Sequence, residues 1–264
     1  MTDHDLELRF QAACAVAREA GKLAKRYFDR RGEIEIEHKG TQDLVSIADK
    51  ETEALIRARL GQAFPDDVFV GEEGGADAVE GAAGVWVIDP IDGTMNFLRG
   101  VPYWSLVIAY VRGNETLIGI TYDPTHDELF AARKGHGTTR DGKPVRVSGE
   151  TDPRQAALGH TFSFKLDPER YARTLANLLG AGVDHRRMGS TALMLCHVAD
   201  GRLDGIVTLR ASSWDVMAGL LLVREADGAA TDWFAHATLT DPAGVYACTP
   251  ALAPVIEAAS ALKA

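Results

Sequence analysis

Apolar residues recur at helical spacing along the first segment of the chain, with arginine and lysine side chains between them. This pattern predicts an amphipathic helix over about Leu6 to Asp29. A second helix is predicted from near Ser46 to about Phe64. Ser46 followed three residues later by an acid is a helix-start signature, and the proline after Phe64 ends the helix.

Short apolar runs follow, rich in β-branched residues and bounded by glycine, aspartate or proline, which is typical of strands. The predicted strands are Val68 to Val70, Val85 to Ile88, Leu106 to Val111 and Leu117 to Tyr122. Asn114-Glu115 lies between two of these runs, and Asp141-Gly142 is a strong turn signal. Part of this sheet is therefore expected to be antiparallel.

From about Thr151 the alternations become longer. Helices are predicted at Asp167 to Leu179, Thr191 to Ala199, Trp214 to Ala226 and Pro250 to Leu262, with strands near Leu203 to Leu209 and Gly244 to Cys248. The sequence contains no repeat, low-complexity segment or linker. We expect residues 1–264 to form a single domain with two lobes, 1–150 and 151–264.

Composition narrows the class of protein. The 264 residues are 46% hydrophobic and carry a net charge of −10, which argues against a basic surface for nucleic acid. Three widely spaced cysteines match no metal-ligand spacing and suit a reducing compartment. The start resembles no signal peptide, and no apolar run reaches the roughly 20 residues of a membrane span. We expect a soluble, cytoplasmic protein that contacts no membrane.

The segment Asp89-Pro90-Ile91-Asp92-Gly93-Thr94 carries the clearest chemical signal. Two carboxylates follow an apolar strand, the proline stiffens the turn, and Gly93 permits an unusual backbone angle or close approach of a ligand. Thr94 offers a hydroxyl and a backbone N–H where a short helix is expected to begin. A metal site beside an anion-binding N–H group suits phosphate chemistry. The alternative is an ordinary acidic turn.

Further acids lie at other predicted element ends. Glu72 follows the strand that ends at Val70, Asp43 and Asp49 bracket the start of the second helix, and Asp215 begins a late helix. Each alone is typical of a helix cap or a solvated charge. Together they could supply much of the octahedral oxygen shell that Mg²⁺ demands.

Four blocks of the sequence resemble the inositol monophosphatase family of Mg²⁺-dependent, lithium-sensitive phosphatases. They are Asp43-Leu44-Val45-Ser46-Ile47-Ala48-Asp49, Gly71-Glu72-Glu73, Asp89-Pro90-Ile91-Asp92-Gly93-Thr94-Met95-Asn96-Phe97 and Trp214-Asp215-Val216-Met217-Ala218-Gly219. The resemblance covers nearly the whole chain. It implies an α/β fold built as a layered αβαβα sandwich, as in inositol monophosphatase and fructose-1,6-bisphosphatase, with a metal-binding lobe first and a substrate lobe second.

The resemblance also implies a role for each matching residue. Two or three Mg²⁺ ions would be held by Glu72, Asp89, the Ile91 carbonyl, Asp92, Asp215 and, through water, Asp49. The attacking water would be positioned and deprotonated by Glu72, Asp49 and Thr94. The substrate would be contacted by Asp92, Gly93, Thr94, Ser190, Thr191 and Asp215, with the phosphate on the amides of Gly93 and Thr94.

The implied reaction is hydrolysis of a small phosphate monoester, with inositol 1-phosphate as the leading substrate. The family usually forms homodimers. One departure concerns specificity: where relatives that prefer inositol phosphate carry a glutamate, this chain has Thr208, and losing an acceptor for a sugar hydroxyl weakens discrimination.

Two alternatives remain open. Phe97-Leu98-Arg99-Gly100-Val101-Pro102 also fits the related histidinol-phosphate phosphatase branch, and other sugar phosphates are possible substrates. A non-catalytic binding protein is a separate class, since some relatives have roles with the transcription machinery. The complete set of metal-binding acids argues against it.

Overall fold

The computed structural model describes residues 1–33, 36–40, 43–79 and 81–263, without the side chains of 33, 36–40 and 43–45. The α-helices in the described part are α1 Asp3–Asp29, α2 Ile47–Ala63, α3 Thr94–Arg99, α4 Pro168–Gly180, α5 Thr191–Ala199, α6 Ser213–Glu225 and α7 Ala253–Ser260. The strands there are β1 Ile36–Gly40, β2 Asp43–Ser46, β3 Val68–Gly71, β4 Gly75–Ala76, β5 Val85–Asp92, β6 Ser105–Arg112, β7 Glu115–Asp123, β8 Glu128–Arg133, β9 Thr138–Arg140, β10 Lys143–Val145, β11 Ala157–Thr161, β12 Asp184–Arg186, β13 Gly205–Ala211, β14 Ala229–Ala230 and β15 Ala243–Cys248.

The larger sheet has the order β10-β9-β8-β7-β6-β5-β3-β4, and within it only β3 and β5 run parallel. Successive side chains of a strand point to opposite faces. In β5, Trp86 and Ile88 pack with α1 and α2, while Val85 and Val87 face the other way and pack with α6. Both faces of the sheet are therefore covered by helices.

The second sheet has the order β12-β11-β13-β15-β14, and its first three strands run parallel. Ile206 of β13 packs in the same cluster as α5 and α6, whereas Val207 packs with α4 and α7 on the opposite face. The layers are thus α1 and α2, the larger sheet, α5 and α6, the second sheet, then α4 and α7. This arrangement confirms the αβαβα sandwich that the resemblance implies.

Helix α6 lies very close to the larger sheet although it follows β13 of the second one. A Cβ atom placed on Gly119 of β7 would lie 2.6 Å from the carbonyl oxygen of Ala218 in α6. Only glycine allows this approach. Helix α6 thus belongs to the second half of the chain and covers the larger sheet, which is formed by the first half. The division into two lobes near residue 150 stays a prediction.

Most of the predicted elements are present, with bounds that differ by a few residues. The last helix is shorter than predicted, because Pro250–Leu252 forms a 3₁₀ turn before α7 begins. Nine of the fifteen strands in the described part have no predicted counterpart, β8 and β11 among them. No helix among the described residues is both long and apolar enough to cross a bilayer.

Candidate metal and phosphate site

Two parallel strands bring the first pair of acids together. Gly71 at the end of β3 pairs with Ile88 of β5, and the amide of Glu72 donates to the Ile88 carbonyl at 3.2 Å. Asp89 therefore lies beside Glu72, and their carboxyl groups are hydrogen-bonded to each other. Burial, together with neighbouring carboxylates, raises the pKa of both groups well above the usual range. A cation bound at this pair would relieve the repulsion between the two groups.

The turn after Asp89 is fixed by hydrogen bonds between its own side chains and its backbone. The Ile91 amide donates to Asp89 Oδ1 at 2.9 Å, and the Thr94 hydroxyl donates to the Ile91 carbonyl at 3.1 Å. Gly93 has a φ of +99°, and a Cβ there would lie 3.1 Å from the Gly189 carbonyl. The turn leads directly into α3, which begins at Thr94.

Asp92 receives the start of helix α5. Its carboxylate accepts hydrogen bonds from the Ser190 hydroxyl, the Ala192 amide at 2.8 Å and the Thr191 amide at 3.2 Å. Burial raises the pKa of Asp92 to about 6, although these three donors favour the charged form. Ser190 is fully buried and also caps α5 by accepting from the Leu193 amide. These contacts favour a supporting role for the Ser190 hydroxyl.

Asp49 lies in the first turn of α2. Asp49 Oδ2 accepts from the Ser46 amide at 2.8 Å and from the Ser46 hydroxyl at 2.6 Å, which completes a capping box. Its other oxygen, Oδ1, is buried and has no hydrogen-bond partner among the described residues. Burial raises the pKa of Asp49 to about 6. A buried carboxylate oxygen without a partner is costly, so it points to a ligand that completes the site.

Asp215 occupies the same position in α6, where its Oδ2 accepts from the Ser212 amide at 2.8 Å. Burial, and then the charge of Asp92, raises the pKa of Asp215 to about 7, and the positive charge of Lys165 opposes this rise. Lys165 follows β11, the parallel neighbour of β13, so both strands deliver charged residues to one edge of the second sheet.

These segments converge on one point. Asp89, Asp92 and Asp215 each present a carboxylate oxygen, and all three oxygens lie within 4.8 Å of one another. Glu72 is close enough to Asp215 and Asp49 for their charges to interact. An all-oxygen donor set with a bare carboxylate oxygen at its edge fits a hard divalent cation such as Mg²⁺.

The structure thus brings together the acids predicted from the sequence, along with Ile91, Gly93, Thr94, Ser190 and Thr191. The side chain of Asp43 lies outside the described residues. Thr208 is buried, and its hydroxyl donates to the Arg210 carbonyl at 3.1 Å. Thr208, which replaces the glutamate of relatives that prefer inositol phosphate, therefore already uses its hydroxyl proton in an internal hydrogen bond.

The sequence analysis missed one residue in contact with the site's backbone. Glu53 is buried in α2 and accepts hydrogen bonds from the turn that carries Glu72. Its spacing of four residues from Asp49 places both on one face of the helix. This spacing could have indicated that Glu53 lies near the site. It is a weak indication, because a glutamate within a helix usually faces solvent.

The chain is similar to known proteins both in sequence and in fold. A sequence model described as the inositol monophosphatase family matches residues 5–262. The Nus factor SuhB of Pasteurella multocida is 38% identical over 224 residues, which cover 84% of each protein. The Nus factor SuhB of Escherichia coli K12 is 36% identical over 225 residues, again 84% of each.

Two solved structures have the same fold. The extragenic suppressor protein suhB from Bartonella henselae superposes with a TM-score of 0.87 at 29% identity, over 97% of both chains. An inositol monophosphatase from Anabaena superposes with a TM-score of 0.84 at 28% identity, over 97% of this chain and 96% of the other.

Proposed function

Because the chain belongs to the inositol monophosphatase family, we propose that it is a Mg²⁺-dependent enzyme that hydrolyses a small phosphate monoester. The observation that carries this proposal is the meeting of buried acids from separate segments beside the turn at Gly93. Packed carboxylates repel one another, and the fold retains them at the expense of stability. A cation-dependent activity gives a reason for this arrangement.

The proposed metal ligands are Glu72, Asp89, the Ile91 carbonyl, Asp92, Asp215 and Asp49. Bound Mg²⁺ would supply Lewis acidity and neutralise charge on the phosphate, which is the chief need in phosphoryl transfer. The capping contacts of Asp49 and Asp215 use one carboxylate oxygen of each. The second oxygen of each remains to face the site.

Phosphate would bind at the amides of Gly93 and Thr94, where α3 begins. The Thr94 hydroxyl donates a hydrogen bond to the Ile91 carbonyl. Its oxygen therefore keeps lone pairs that can accept a hydrogen bond from the attacking water. Glu72, assisted by Asp49, is the proposed proton acceptor.

The leading substrate is inositol 1-phosphate, and histidinol phosphate is the nearest rival. Thr208 does not offer a ring hydroxyl the acceptor that a glutamate would, because its side chain is short and buried. Thr191 and Asp215 remain candidates for contact with the alcohol part of the substrate.

The experiment that tests the function is release of phosphate from each ester by purified protein, with Mg²⁺ and with a chelator as control. Preference for the inositol ester, judged by kcat/KM, would support that branch. Preference for histidinol phosphate would keep the mechanism and change the substrate. Absence of Mg²⁺-dependent release from a panel that also includes other sugar phosphates would refute the enzymatic proposal.

Lithium sensitivity is a separate expectation that the family implies. Millimolar Li⁺ should lower the rate of phosphate release, and K⁺ at the same ionic strength should not. An enzyme insensitive to Li⁺ would contradict the proposed second metal site. The same preparation, measured by light scattering, tests the proposed homodimer.

A second candidate is a binding role, which the Nus factor name of the similar SuhB proteins favours. A binding role alone would not require the retained acids. Such a role is also compatible with catalysis. Variants at Asp215 separate the two functions, because they would remove turnover and leave a surface contact with a partner intact.

A further inference from the structure

Glu53 lies in α2 four residues after Asp49, with only 2% of its surface exposed. Its carboxylate accepts hydrogen bonds from the amides of Glu73 and Gly74, both at 2.9 Å. These amides belong to the turn between β3 and β4, which carries Glu72. Helix α2 is therefore tied directly to the segment that presents the first proposed metal ligand.

The glycines of this turn are explained by the same carboxylate. A Cβ atom on Gly71 would lie 2.3 Å from Glu53 Oε1, and one on Gly74 would lie 2.6 Å from it. Neither distance is possible between real atoms. The glycines on either side of Glu72 and Glu73 thus make room for Glu53.

Arg57, one helical turn further along α2, holds Glu53 in place. Its Nε donates to Glu53 Oε1 at 2.7 Å, and its second nitrogen donates to the Gly75 carbonyl at 2.7 Å. Its guanidinium also lies over the ring of Phe69, 5.3 Å from the centroid. The Glu53 carboxylate is consequently held by Arg57 within α2 and hydrogen-bonded to the amides of the turn.

We propose that Glu53 is a positioning residue for the metal site, which sets the place of Glu72 relative to Asp49. The inference rests on the proposed function, since it assumes that Glu72 and Asp49 serve the cation. Glu72 faces the like charges of Asp215, Glu73 and Asp49. Without its tie to α2, the turn would move away from this repulsion, and a cation would have to pull it back.

The test is a Glu53→Gln variant. An amide has only one acceptor oxygen, so it cannot satisfy both turn amides and Arg57. We expect the Mg²⁺ concentration for half-maximal activity to rise about 10- to 100-fold, the range typical for lost partners of metal ligands. The kcat at saturating Mg²⁺ should stay near that of the unmodified protein.

Two readouts do not depend on activity. Calorimetric titration with Mn²⁺ should show a matching loss of affinity, and hydrogen exchange at residues 73–74 should become faster in the metal-free variant. The matched control is Glu19→Gln. This change in α1 removes an exposed carboxylate that is bonded to Arg59 of α2. It should alter neither readout.

A Gly74→Ala variant keeps every charge but forces Glu53 out of its place, so it should weaken Mn²⁺ binding in the same direction. It decides the question if Glu53→Gln fails to fold. Unchanged Mn²⁺ affinity and unchanged exchange in a folded variant would overturn the inference while the proposed function stood. An unmodified protein that bound neither Mn²⁺ nor Mg²⁺ would overturn both.

Discussion

At the scale of single residues, three of the acids serve a helix start as well as the site. Asp49 and Asp215 each accept an amide hydrogen bond at the start of their own helix, and Asp92 accepts from the first amides of α5. The positive end of each helix dipole favours a nearby carboxylate. The same contacts fix each of these three side chains, so their placement depends little on loop conformation.

Asp215→Asn should reduce Mg²⁺-dependent turnover about 100-fold or more, because an amide is a poor ligand for a hard cation. Its oxygen can still accept from the Ser212 amide, so the cap of α6 is retained. Loss of one buried charge should raise the thermal stability of the metal-free protein. Phosphate release and calorimetric melting in a chelator measure the two effects.

The control for that variant is Asp67→Asn. Asp67 is also a buried carboxylate, but it accepts hydrogen bonds from Arg9 Nε at 2.9 Å and from Arg9 Nη2 at 3.1 Å. Its neutralisation should lower stability, since it leaves the Arg9 guanidinium poorly paired. Opposite signs for the two variants are expected, and a fall in both melting temperatures would contradict the idea of a repulsive metal-free site.

Sequence patterns were informative about these residues only where the partners are close along the chain. The motif from Asp89 to Thr94 is local, so its chemistry was predictable. The contact between Asp92 and Ser190 joins residues 98 apart, and no local pattern encodes it. The role of Ser190 at the substrate, which the resemblance implies, stays a prediction, and the structure adds the bond of its buried hydroxyl to Asp92.

At the scale of elements, α1 and α2 begin with equivalent capping boxes, Thr2 with Asp5 and Ser46 with Asp49. Ser46→Ala and Thr2→Ala should each cost about 1 kcal/mol of stability through the lost cap. Only Ser46→Ala should also alter the Mg²⁺ dependence of activity, because it releases Asp49. Urea unfolding and Mg²⁺ titration of both variants check this, and equal titration curves would show that the Ser46 contact has no part in metal binding.

Elements with a clear local signal were predicted well, and those without one were missed. Helix α5, Thr191–Ala199, has the predicted bounds because Ser190 is a good cap before a long apolar run. Strand β11, Ala157–Thr161, contains alanine and glycine, which are weak strand formers, and is held by its parallel neighbours β12 and β13. Tertiary pairing of this kind is invisible to a local pattern.

At the scale of the whole molecule, the acids predict how stability depends on pH. The pKa is about 6 for Asp49 and Asp92 and about 7 for Asp215, against 3.8 in an unfolded chain. The folded protein therefore retains protons that the unfolded chain has released. In a chelator, the free energy of unfolding should fall as pH rises from about 4 to about 7.

Urea unfolding at several pH values within this window measures the effect. Excess Mg²⁺ should restore stability most at the upper end, since ionised carboxylates bind the cation and protonated ones do not. A chelated protein that became more stable between pH 5 and pH 7 would contradict the raised pKa values of these acids.

The position of α6 has a consequence for the protein during its synthesis. Val87, Val107 and Phe130 on one face of the larger sheet are covered with the help of Leu220 and other residues of α6, which leave the ribosome long after the sheet itself. Until then, that apolar face lacks its native cover and is open to aggregation or to a chaperone. Asp215 arrives with the same helix, so the segment that begins to cover this apolar face of a nascent chain also supplies the last acid of the cluster.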